Sequence, residues 1–154
     1  MVAVALVAYL AWGWLVPSDE DRVRAAVSAL AETLSSDPAD PLGQVTSLAR
    51  LRTQLAADVV VTAAGTQLRG RDAVTGLWQR VRASGDAARV RLFDLTVVVG
   101  AAGATATVEG VAELTLERGG VPEREVREVH ATFVAEDDAW RLAAATMVEA
   151  ITPP

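Results

Sequence analysis

A single histidine, His130, is the only one in 154 residues, and histidine is the one side chain whose ordinary pKa lies near neutrality. Proton transfer at pH 7 would therefore centre on it. Its parity on a late strand groups it with Glu128 and Thr132. If that face turns inward, His130 could form an acid–base pair with Asp94 or Glu109 from a neighbouring strand. If it turns outward, His130 is a solvated strand residue among Glu125, Arg127 and Glu128. Binding chemistry has its own candidates. Trp78 and Trp140, with Phe93, Thr132 and Thr146, would suit the wall of an apolar pocket, although the same tryptophans in apolar-periodic positions would equally serve as core anchors. Zinc sites usually need several His or Cys ligands, and this chain has one His and no Cys. Neither a metal nor a cofactor is expected.

These residues must be positioned by elements whose limits the sequence marks. Ser18-Asp19-Glu20-Asp21 reads as a helix start, with Ser18 as cap and Asp21 in the reciprocal position. Val23, Ala26, Val27, Leu30, Ala31 and Leu34 then recur at helical spacing, which predicts a helix ending near Ser35. Ser36 to Pro41 is a turn cluster in which Asp40 and Pro41 suit the cap and first residue of a second helix running to about Leu55. Asp58 to Thr62 is a β-branched run and so a strand. At Leu68-Arg69-Gly70-Arg71-Asp72-Ala73-Val74 a strand end meets a helix start: Gly70 permits the tight turn, Asp72 can cap, and Val74, Leu77, Trp78 and Val81 share one helical face. Four long strands follow, about Arg89 to Val99, Ala104 to Glu117, Glu123 to Ala135 and Ala139 to Ala150, forming an antiparallel meander.

Helices first and long strands last give an α+β domain with its helices on one face of the sheet. Within the strand from Ala104 to Glu117, small residues at Ala106, Gly110 and Ala112 would let a helix or ligand approach closely. Asp94 interrupts Leu92-Phe93-Leu95 and, if buried, needs a partner such as Arg89, Arg91 or Arg141. The run Glu123 to Glu128 reads as a solvated strand face with cross-strand ion pairs.

Ahead of the domain, Val2 to Val16 carries no charge. Fifteen helical residues span about 23 Å, short of the roughly 30 Å of bilayer hydrocarbon. Leu15-Val16-Pro17 stands where a signal peptidase would need small residues, so residues 1–17 are expected to be an uncleaved membrane anchor or signal segment. The absence of a polar face speaks against a packed helix of the domain. Tyr9, Trp12 and Trp14 gather at its later end, as aromatic side chains do at the headgroup level. The domain itself is expected over residues 18–151, outside the cytoplasm, with residues 152–154 as a tail. A start upstream of Met1, with a basic flank, is open.

The net charge of −6 and the pI near 4.8 speak against a phosphate-binding surface, so no nucleic-acid partner is expected. All fourteen basic residues are Arg.

The Gly70 junction, together with Phe133-Val134-Ala135-Glu136-Asp137-Asp138-Ala139-Trp140-Arg141-Leu142, resembles the nuclear transport factor 2-like, or SnoaL-like, superfamily. The second motif is similar to that family's last hairpin, an acidic or glycine turn before a Trp-Arg pair. The resemblance implies a cone, with three helices on a strongly curved, mostly antiparallel sheet. It also implies a conical pocket, used by some members for proton transfer or ring closure on apolar substrates and by others for binding or assembly, and a possible homodimer through the outer sheet face. The family's catalytic positions can be checked one by one. The carboxylate base of the steroid-isomerase-like members would fall near Ala63, the acid or His of the cyclase-like members near Ala144, Ala145 and Thr146, with Glu149 a turn too late, and the only Tyr is Tyr9. The expectation is a membrane-tethered domain binding a small apolar ligand or an envelope protein without catalysis; the alternative is an isomerase, cyclase or hydratase using His130.

Overall fold

The computed structural model describes residues 16–35 and 40–149. The expected anchor up to Leu15, most of the turn cluster after Ser35, and the tail lie outside these. Helix α1 (Asp19–Leu34) opens with the expected capping box: Ser18 Oγ accepts from the Asp21 N–H, and the Asp21 carboxylate accepts from the Ser18 N–H. The Ser18 hydroxyl, which also donates to the Asp21 carboxylate at 2.7 Å, and then the Ser18 N–H hold that carboxyl below the usual carboxylate range. Helix α2 (Pro41–Gln54) starts on Asp40, which accepts from the Gly43 N–H at 2.9 Å. It runs without a loop into strand β1 (Leu55–Ala63), and a tight turn leads to β2 (Thr66–Arg69).

Gly70, at φ 85°, is the residue that begins helix α3 (Arg71–Ala83), and no side chain caps it. The sequence expectation of Asp72 as cap is corrected here. Because the sharp turn falls at Gly70, Asp72 lies inside the first turn, and its carboxylate is engaged by Arg52 at 2.7 Å. Strands β3 (Ala87–Val99), β4 (Thr105–Arg118), β5 (Val121–Glu136) and β6 (Ala139–Glu149) complete the domain.

The six strands lie in the order β2-β1-β6-β5-β4-β3. The meander is antiparallel throughout, while β6 also pairs in parallel with β1. Register breaks in β3 between Phe93 and Thr96, and in the β5–β6 ladder between Thr132 and Phe133, bend the sheet as bulges do. The helices cover one face. Val23 and Val27 of α1 and Leu51 of α2 pack with Val59, Val97, Val108, Phe133, Trp140 and Leu142 into one core.

Because side chains alternate along a strand, that core assigns the faces. Ala106, Val108, Gly110, Ala131, Phe133, Ala145 and Met147 face the helices. Thr107, Glu109, Val111, Glu128, His130, Thr132 and Thr146 face away. The small-residue stretch of β4 is approached by a strand as well as by the core: a Cβ at Gly110 would lie 2.7 Å from Leu95 Cδ2 and 3.0 Å from the Phe93 carbonyl. The bulge that displaces Leu95 toward Gly110 turns at Asp94, whose φ is 53°, a conformation Asp tolerates better than most residues.

Candidate functional site

His130 and Glu109 do meet. They are direct partners across β4 and β5, with Nδ1 to Oε1 at 3.4 Å, but their side chains are 54% and 66% exposed. The pair stands on the open face, away from the helices. The conditional expectation of an inward pair is therefore corrected: the parity that buries Ala131 and Phe133 points His130 outward. Asp94, exposed at the bulge, precedes by two residues the Thr96 that sits opposite Glu109. It is near the same edge of the open face and needs no buried partner.

The pocket candidates divide. Trp140 is 7% exposed and belongs to the core, and Trp78 packs against that core from α3. Phe93 is 41% exposed with the Arg91 guanidinium over its ring at 5.8 Å. Thr132 and Thr146 lie on the open face beside His130. Phe93, Thr132 and Thr146 are thus corrected as lining residues of a cone interior, since their strand parity is that of His130. The run Glu123 to Glu128 also splits between faces. Arg124 pairs with the buried Glu113 on the open side, and Arg127 pairs with Glu125 and Glu149 on the other.

The more informative polar groups lie where α2 meets α3. Arg82 donates to Ser47 across the two helices, and its guanidinium sits 5.7 Å from the Trp78 ring. Gln54 is two helical turns from Ser47 and so on the same side of α2. Trp78 Nε1 and Arg82 Nε are buried here without a hydrogen-bond partner, and so, on α2, is Gln54 Oε1. An unsatisfied buried donor or acceptor costs about 1–3 kcal/mol. Two unpaired donors at an indole ring, with an unpaired acceptor on the same side of α2 as Ser47, match a ligand that is apolar over most of its surface and polar at one end. Neither Gln54 nor Arg82 was singled out in the sequence; the only signal was their polarity in otherwise apolar-periodic positions, which is weak.

Two surface hollows lie outside the helix–sheet interior. One, of about 340 Å³, is lined by Arg52, Arg69, Gly70 and Arg71; the other, of about 410 Å³, lies between the start of α1 and the β5–β6 turn at Asp137 and Asp138. Among the described residues no group of acidic or His side chains could hold a metal ion.

This arrangement of helices, curved sheet and Trp-Arg hairpin agrees with a family model. The SnoaL-like domain model matches residues 23–146. The chain belongs to the SnoaL-like family. Solved structures agree with that membership. A Streptomyces avermitilis protein of the NTF2-like family, provisionally named a dehydratase, superposes with a TM-score of 0.72 at 17% identity, over 87% of this chain and 97% of its own. A Novosphingobium aromaticivorans protein provisionally named an aromatic ring hydroxylase gives 0.71 at 15% identity, over 88% and 90%. A Mycobacterium tuberculosis protein of unknown function gives 0.69 at 18% identity, over 84% and 74%. At these identities the likeness is one of fold. None of the curated proteins matches the sequence. Like these structures, this SnoaL-like chain presents the scaffold on which sites are grafted, and the scaffold alone does not choose a chemistry.

Proposed function

We propose that this SnoaL-like domain binds a small, largely apolar ligand with one polar end, without acting on it, while tethered to a membrane by the uncharged run Val2–Val16. The observation that carries the binding reading is the seam between α2 and α3, where the Trp78 Nε1 and Arg82 Nε donors are buried and unpaired beside one another, as is Gln54 Oε1 on α2. A carbonyl oxygen would accept from the indole N–H, and a hydroxyl could in addition donate to Gln54 Oε1. Absence of catalysis is supported by the placement of His130 and Glu109 on the open sheet face, where water competes for any proton they exchange, and by alkyl side chains at Ala63, Ala144 and Ala145.

The tether rests on sequence: a charge-free run with aromatic residues at its later end. Among the described residues no helix is long and apolar enough to cross a membrane. An envelope protein or a second copy of the chain is the partner class that the open sheet face would take, with Val98, Phe93, Val126 and Val148 exposed there.

The test is a thermal-shift screen of apolar ketones, lactones and alcohols on the full chain, comparing wild type with Trp78→Phe, which keeps a smaller aromatic ring and removes the N–H. A true ligand at about 100 times its Kd stabilises the wild type by about 2.7 kcal/mol and the variant by clearly less. Turnover of any of these compounds, abolished by His130→Ala, would overturn the non-catalytic reading.

A further inference from the structure

Helix α2 presents apolar side chains on two sides. Leu51 is buried in the core, yet Leu42 is 82% exposed and Val45 75% exposed, and with exposed Ala49 they recur at the spacing of one outward helical stripe. On either side of this stripe stand the exposed Arg50 and Arg52. The charge around it is unlike the rest of the molecule. Residues 41–83, which form α2, β1, β2 and α3, hold six of the fourteen arginines and only two acids, Asp58 and Asp72; the rest of the chain holds eight arginines and eighteen acids. Although Asp40 caps the start of α2, an acidic protein thus carries its excess of positive charge in the segment that holds its most exposed aliphatic residues.

We infer that the outward face of α2 is a membrane-docking surface for an anionic lipid bilayer, with Leu42 and Val45 entering the headgroup boundary, Arg50 meeting a lipid phosphate and Arg52 exchanging its exposed Asp72 partner for another. Aliphatic side chains exposed on one face of a helix with arginines beside them favour contact with a bilayer interface, and an anionic leaflet attracts such a cluster within a Debye length. The strongly acidic remainder would be repelled by the same leaflet, so attraction and repulsion together orient the domain with α2 toward the lipid. This goes beyond the tether: an anchor holds the domain near a membrane, whereas this face sets which side of it touches.

The chain has no cysteine, so Val45→Cys in the full chain accepts a single environment-sensitive fluorophore at an exposed site. Val98→Cys, 59% exposed on the opposite side of the sheet, is the control. With phosphatidylcholine–phosphatidylglycerol vesicles the label at 45 is expected to shift to the blue and brighten several-fold, reversibly with salt, while the label at 98 stays unchanged. Pure phosphatidylcholine vesicles should give no shift at either site. A chain that sediments with both vesicle types but leaves both labels unchanged would overturn the docking surface and keep the tether. A chain that fails to sediment with neutral vesicles yet shows the salt-sensitive shift at 45 would overturn the tether and keep the docking surface. A shift at 45 without vesicles that grows with protein concentration would overturn the inference in favour of a second copy.

Discussion

The two faces of strands β4, β5 and β6 are built by the same residues in alternation and yet obey different rules. On the helix side Ala106, Val108, Phe133 and Ala145 are all less than 9% exposed, and each is matched in register by another small or apolar partner. On the open side Thr107, Glu109, His130 and Thr146 keep water contact, and their ion pairs are exposed. The difference shows that adjacency in a ladder does not make an active site. His130 and Glu109 have partner geometry but lack the burial that would strengthen their interaction and hold their protons away from solvent.

The comparison predicts unequal consequences for mutation. Phe133→Ala, in the centre of the helix side, should cost about 3–5 kcal/mol, seen as a large fall in the denaturant midpoint; a loss below about 1 kcal/mol would mean that the two faces are not so different. Gly110→Val should cost about 1–3 kcal/mol by overpacking, because the added atoms run into Leu95 and the Phe93 carbonyl. Gly110→Ala, with one carbon at the same place, should fall between wild type and Val. His130→Ala should change stability by less than about 0.5 kcal/mol, since exposed ion pairs contribute little. A larger loss would show that the open face is covered in solution, most simply by a second copy of the chain.

Much of this arrangement was legible in the residues. The Ser18–Asp21 box and the Asp40-Pro41 start are local chemistry, because cap and capped groups are neighbours in sequence, and both formed. Strand limits were also local, set by glycine and acidic turns. Which parity faces the helices was not, since alternation along β5 is equally consistent with His130 inward or outward until Phe133 and Ala131 are seen beneath α1 and α2. The parallel pairing of β1 with β6 depends on contacts far apart in sequence. The α2–α3 seam was hidden for a related reason: Ser47 and Arg82 belong to different helices, and nothing in either helix alone tells that they meet. The exposure of Leu42 and Val45 was not legible either, because periodicity identifies an apolar stripe without saying whether anything covers it.

The slot that β6 fills between β1 and β5 has a consequence for how the protein is made. β1 precedes β6 by the whole of β2, α3 and strands β3 to β5, so during synthesis the edge of β1 waits for a neighbour until the β5–β6 hairpin leaves the ribosome. Such non-local closure is slow, and an uncovered strand edge invites pairing with other chains. Nascent chains truncated before Ala139 should therefore be the aggregation-prone species, and emergence of β6 the event that completes the sheet.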